Sequence, residues 1–187
     1  MLPYFLYIAV LILELFLLVL FTTYIGSLIY SHLCGSPFVP SKKKELELIL
    51  SKCNLKKGMT FMDLGCGEGR AVRMAVKKYN VTGIGVDVNP LLLVVAKLLS
   101  RLDKLHTIRF ERKNILTYDL SSADVIYIFL LPSLITKLVP HFERSLKNDT
   151  LVVSHGFKIP EWTNFVTYKI DHLPFPTYFY RFKRKKY

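Results

Sequence analysis

The chain has 187 residues, 51% of them hydrophobic, and a formal net charge of +12. That length holds one domain of ordinary size plus an appendage, so a single core is expected rather than two. Its three cysteines, Cys34, Cys53 and Cys66, form no CxxC pair, so they point to neither a disulfide framework nor a zinc site, and a reducing compartment is the simpler fit.

From Pro3 to Tyr30 the sequence runs almost without charge. At about 1.5 Å per helical residue this exceeds the roughly 30 Å hydrocarbon core of a bilayer, which predicts one transmembrane helix. A cleaved signal peptide fits less well, because no basic segment precedes the apolar run and no small-residue cleavage pattern follows it. The first Lys or Arg is Lys42, followed by Lys43 and Lys44, so the positive-inside tendency places the remaining chain in the cytoplasm. Arg181, Lys183, Arg184, Lys185 and Lys186 form a second basic cluster, and both clusters suit an anionic membrane surface. Glu14 interrupts the span; it either marks a helix partner or is tolerated in a very apolar helix. Cys34 sits where palmitoylation occurs, but position alone is a weak signal. The expected organisation is an anchor over 1–33, a connector and leading helix over 34–57, and a main folded domain over 58–187.

The connector Gly35-Ser36-Pro37-Phe38-Val39-Pro40 precedes a helix capped by Ser41 and ending near Cys53. Strands are expected at Thr60 to Leu64 and Val81 to Val88, with a helix from about Glu68 to Lys78 between them. Pro90 opens a helix to about Leu102. Thr107 to Arg112 alternates like a strand, and the apolar run Ala123 to Leu131 suits a strand buried on both faces. A helix from Pro132 to about Leu146 and a strand from Thr150 to Phe157 follow. Phe165 to Asp171 and Thr177 to Lys183 then read as a hairpin. This alternation predicts an α/β fold, a Rossmann-like doubly wound and mostly parallel seven-stranded sheet with a C-terminal antiparallel hairpin, preceded by one N-terminal transmembrane helix.

The sharpest motif is Asp63-Leu64-Gly65-Cys66-Gly67-Glu68-Gly69-Arg70, a strand that ends in an acid and turns through glycines into a helix. The glycines let a ligand approach the backbone, and the helix N-terminus supplies free N–H groups. The spacing is GxGxG rather than the dinucleotide GxGxxG, and Asp63 at the strand end suits a ligand with an ammonium group. Asp87, at the end of the second strand in Gly85-Val86-Asp87-Val88-Asn89-Pro90, stands where an acid accepts both ribose hydroxyls. Asn114 follows the third strand and can meet an adenine amino group or serve as a plain turn residue. The cofactor site expected from these signals comprises Asp63, Gly65, Cys66, Gly67, Glu68, Gly69, Asp87, Asn89 and Asn114, with no metal.

The glycine loop, the GVDVNP segment and the strand order resemble class I S-adenosylmethionine-dependent methyltransferases over roughly Gly58 to Phe157. With the connector to Ser41, Phe129-Leu130-Leu131-Pro132 and Val152 to Trp162, nearly the whole chain resembles the membrane-anchored protein-lysine methyltransferases of the adenine nucleotide translocase and the ATP synthase c subunit and their prokaryotic relatives. The resemblance implies S-adenosyl-L-methionine as cofactor and lysine as acceptor, on a protein in or near the membrane. Methyl transfer needs an aligned, unprotonated acceptor, and an apolar pocket lowers the lysine pKa. Phe38, Tyr127, Leu131, Pro132 and Trp162 are the candidates to line it. His155 is either a proton acceptor or structural. A lipid, quinone or other small hydrophobic acceptor is the enzymatic alternative. Nucleic acid ranks third, because no Asn-Pro-Pro-Tyr-type motif follows the fourth strand, and a non-catalytic cofactor-binding module is the reading from a different class.

Overall fold

The central strands are apolar almost throughout, as they must be when both faces of a sheet are covered, and successive side chains point to opposite faces. In the computed structural model, which describes residues 2–33, 39, 41–172 and 174–184, this alternation builds two cores. Phe61, Val125, Tyr127, Leu151 and Val153 point to one face. Met62, Leu64, Ile126, Ile128 and Val152 point to the other.

The elements are α1 (Leu2–Leu33), α2 (Lys43–Lys52), β1 (Thr60–Leu64), α3 (Arg70–Tyr79), β2 (Thr82–Asp87), α4 (Pro90–Leu102), β3 (Ile108–Arg112), β4 (Val125–Ile128), α5 (Pro132–Ser145), β5 (Leu151–His155), β6 (Val166–Ile170) and β7 (Thr177–Arg181). Seven strands run in the order β3-β2-β1-β4-β5-β7-β6. β1 to β5 pair in parallel, and β7 enters antiparallel between β5 and β6. From β1 the chain winds outward to β3, then returns to β4 on the other side of β1. That reversal opens a crevice beyond the C-terminal ends of β1 and β4, where ligands bind in doubly wound sheets.

α2, α3 and α4 contribute to the first core through residues such as Leu46, Ile49, Val72, Ala75, Leu93 and Ala96. α5 covers the opposite face through Ile135, Leu138 and Phe142. The leading helix therefore shares the core of the catalytic domain. α1 is long and apolar enough to cross a membrane; residues 3–26 are exposed, and only its last turns, where Ser31 is buried, meet the rest of the chain.

Several local expectations shift. α2 takes Lys42, not Ser41, at its N-cap, and no side chain caps it. Ser41 instead faces Tyr127, with the two hydroxyls 3.2 Å apart. α3 begins at Arg70 rather than Glu68, because Gly69 holds the left-handed conformation with φ 74°. A short 3-10 turn over Pro160–Phe165, absent from the sequence reading, leads into the hairpin.

Trp162 lies in this turn and is only 1% exposed. Its ring packs on Phe142, Tyr180 and Phe182 with centroids 5.5, 6.1 and 5.4 Å away. It belongs to the core under α5, not to a substrate pocket; as in many folds, a large aromatic near a strand end serves packing. Trp162→Ala should cost about 3–5 kcal/mol of stability in chemical denaturation of the detergent-solubilised chain, with cofactor affinity of the folded fraction unchanged.

Candidate functional site

The crevice between β1 and β4 is a cleft of about 310 Å³. Its floor forms where two neighbouring strands end. Asp63 of β1 pairs in register with Gly85 of β2 on one side and Tyr127 of β4 on the other. Asp63, Tyr127 and Phe61 share one face by strand alternation. Asp63 is 3% exposed, yet among the described residues its carboxylate has no side-chain hydrogen-bond partner. Burial, and then the charge of Asp87, raise its pKa well above the usual carboxylate value. A buried acid without a partner is costly, and a cationic ligand group would relieve that cost.

The glycine loop is held from β2. Asp87 accepts the Gly67 N–H and the Asn89 N–H, both at 2.8 Å. A carboxylate has about four acceptor sites, so Asp87, which lines the cleft, retains capacity for a ligand's hydroxyls. Its pKa is raised by burial, which the amide bonds from Asn89 and Gly67 oppose. Gly65 has φ +82°, and a Cβ there would come within 2.7 Å of Leu130. The turn thus requires glycine for conformation and for space. Glu68 and Arg70 pair at 2.6 Å, and Arg70 also donates to the Ser41 carbonyl at 3.0 Å, joining the loop to the segment before α2.

Of the residues expected at the cofactor, Asp63, Gly65, Cys66, Gly67, Glu68, Asp87 and Asn114 line this cleft. Gly69 stands behind it as the N-cap of α3. Asn89 is a correction. Fully buried, its side-chain oxygen caps α4 by accepting the Leu91 and Leu92 N–H groups. Its amide donates to the Ser27 carbonyl at 2.9 Å and the Ser31 hydroxyl at 2.7 Å. Asn89 therefore fastens the last turns of α1 to the catalytic domain.

On the acceptor side Tyr127 lines the cleft. Leu131 does not; it is the N-cap of α5. Pro132 is exposed in the first turn of that helix. Phe38 lies outside the described residues. The sequence reading missed Phe129, Leu130, Lys137 and Ser31, which also line the cleft. Phe129 directly follows β4, and the end of a central parallel strand was the available signal for it. Ser31 gave none, because only the tertiary docking of α1 brings it there.

Behind Phe129 lies His155, 1% exposed. Phe129 and Phe175 pack on its ring at 4.5 and 6.0 Å between centroids. Its Nδ1 is 2.8 Å from the Thr177 hydroxyl, which also contacts His172 at 2.9 Å. Its Nε2 is 3.9 Å from Glu45. Burial, and then the neighbouring His172, pull its pKa down to about 4 against the opposing charge of Glu45. It does not line the cleft, and this network gives it a structural role.

A glycine loop between two strand-end carboxylates, on this strand order, defines an S-adenosylmethionine-dependent methyltransferase. Residues 63–165 match the model of the ANTKMT methyltransferase domain, and the chain belongs to that family. A protein-lysine N-methyltransferase of Saccharolobus islandicus is 31% identical over 145 residues, 75% of this chain and 89% of that protein. The human lysine N-methyltransferase of the ATP synthase c subunit is 29% identical over 68% of the chain, which spans 54% of that relative. The mouse adenine nucleotide translocase lysine N-methyltransferase is 28% identical over 67% of the chain, which spans 55% of it. Among solved structures, an RNA methyltransferase from Salinibacter ruber in complex with S-adenosyl-L-homocysteine superposes with a TM-score of 0.73 at 27% identity, over 76% of this chain and 93% of that one. The cofactor is S-adenosylmethionine.

Two outcomes follow from this geometry. Asp87→Ala should weaken S-adenosylhomocysteine binding, measured by calorimetry on the full chain, by about 1.5–3 kcal/mol, roughly tenfold to a hundredfold; equal affinity would remove Asp87 from the site. For His155, the unfolded value is near 6.5 and the folded value about 4. Between them the unfolded chain binds more protons, so the contribution is complete above about pH 6.5 and is lost as pH falls toward 4, on the order of 3 kcal/mol in all. His155→Phe should flatten the stability profile in that window, and an unchanged slope would place the titration elsewhere.

Proposed function

We propose that this methyltransferase is anchored in a membrane by α1, with its catalytic domain on the cytoplasmic side, and methylates lysine on a protein in or beside that membrane. The observation that carries this reading is Ser31, a residue of the apolar helix that also lines the cofactor cleft. If α1 spans the bilayer, the cleft lies within a few residues of its surface. Lys42, Lys43 and Lys44 follow α1, which supports the cytoplasmic orientation. The names of the archaeal, human and mouse relatives support lysine as the acceptor.

When bound, S-adenosylmethionine supplies a methyl group on a positively charged sulfur. The chain's part is alignment and exclusion of water. Asp63 would hold the ammonium of the cofactor's amino-acid end, Asp87 the ribose hydroxyls, and Asn114 the adenine. Tyr127 and Phe129 present an aromatic wall to an incoming amine. A largely apolar wall disfavours the ammonium form of lysine and so favours the neutral nucleophile. No side chain in the cleft needs to act as a covalent nucleophile.

A second reading is RNA methylation, which the name of the Salinibacter ruber neighbour favours. Methyl-labelled cofactor, full-length protein, isolated membranes and total RNA separate the possibilities. The expected label is in protein, recovered after hydrolysis as methyllysine and abolished by Asp63→Ala. Label in RNA or in the lipid extract would overturn the lysine assignment.

A further inference from the structure

Outside α1, seven large apolar or aromatic residues are exposed among the described residues: Val39, Leu48, Val94, Leu98, Leu102, Val166 and Tyr168. Three of the seven are on α4. Val94, Leu98 and Leu102 are 61%, 54% and 70% exposed, and their four-residue spacing stacks them in one row on the helix surface. Lys97 and Arg101, both exposed, form the adjacent row. The opposite face, with Leu92, Leu93, Ala96 and Ser100, is buried. Scattered exposed leucines need no explanation, but a concentrated apolar row marks an interaction face.

The position of this row indicates what covers it. The N-terminus of α4 is fastened to α1 through Asn89, whose amide meets Ser27 and Ser31. Counted from Pro3, the helix up to Gly26 has room to cross a hydrocarbon core of roughly 30 Å at about 1.5 Å per residue. Ser27 to Ser31 then emerge at the interface, where their hydroxyls and Asn89 have polar surroundings. The start of α4 is held at that same level. An amphipathic helix with an apolar row flanked by Lys and Arg is suited to the boundary between headgroups and acyl chains, where long basic side chains keep their charge in the headgroup layer.

We infer that α4 is a second membrane contact: it lies in the headgroup region of an anionic bilayer with Val94, Leu98 and Leu102 turned into the acyl boundary. This rests on the reading of α1 as a spanning helix and goes beyond it, because one spanning helix, even with the domain fastened to it at Asn89, leaves rotation about that helix's own axis unfixed. Two attachments fix the domain's orientation and keep the cleft beside the membrane surface. Lys97 and Arg101 make the contact favour anionic lipid.

The test uses the full chain in vesicles of phosphatidylcholine and phosphatidylglycerol. An environment-sensitive fluorophore is placed singly at Leu17→Cys, Leu98→Cys or Ser121→Cys in a Cys34→Ser background; Cys53 and Cys66 are buried, and Ser121 is exposed in the turn before β4. Retained S-adenosylhomocysteine binding verifies each fold. The expected result is blue-shifted emission and quenching by spin-labelled lipid at 17 and 98 but not at 121, with quenching at 98 reduced by Lys97→Gln with Arg101→Gln. Quenching at 17 with a water-like signal at 98 overturns the α4 contact and leaves the anchor intact. Cross-linking of two copies through position 98 without lipid quenching assigns the face to a second chain instead. A water-like signal at 17 overturns the anchor and the α4 contact together.

Discussion

The site depends on the end of β2. There the Asp87 carboxylate takes one N–H from the glycine loop and one from the following turn, while Asn89, two residues on, caps α4 and grips α1. Three segments far apart in sequence are thereby fixed against one strand end. Bonds from backbone amides to a largely buried carboxylate are charge-assisted and stronger than neutral ones, so the loop is shaped before a ligand arrives. Preorganisation of this kind reduces the ordering cost of binding.

The electrostatics of the molecule divide by location. The chain carries +12 overall, yet among the described residues Asp63 and Asp87 stand unpaired with any cation in the cleft, whose other charged residues are Glu68 with its partner Arg70, and Lys137. Burial, and then the charge of Asp87, raise the proton affinity of Asp63, and burial followed by the two acids raises that of the Cys66 thiol. An acidic recess in a basic protein suits a cationic cofactor inside and an anionic surface outside. Burial also keeps Cys66 in its thiol form, which leaves it a space-filling part of the loop.

Much of this was legible in the sequence because its signals were local. The alternation of strand and helix fixed the parallel order; GxGxG between Asp63 and Asp87 located the crevice; and Pro90 and Pro132 marked helix starts that the structure keeps. The departures have separate physical origins. Asn89 stands in the expected cofactor set, but its partners Ser27 and Ser31 are about sixty residues away. Leu131 and Pro132 stand among the expected lining residues and Phe129 and Leu130 do not, because an apolar run does not reveal where a four-residue strand stops. Trp162 looked like a pocket aromatic because the 3-10 turn that drives it under α5 carries no periodic signal.

The most direct measurement is a crystal structure of the full chain, grown from lipid, with S-adenosylhomocysteine bound. The expected density puts the ligand's ammonium beside Asp63, its ribose hydroxyls on Asp87, and its sulfur facing Tyr127 and Phe129. A ligand seated elsewhere, or an Asp63 carboxylate beyond hydrogen-bonding reach of it, would contradict the claim that the two strand-end acids hold the cofactor.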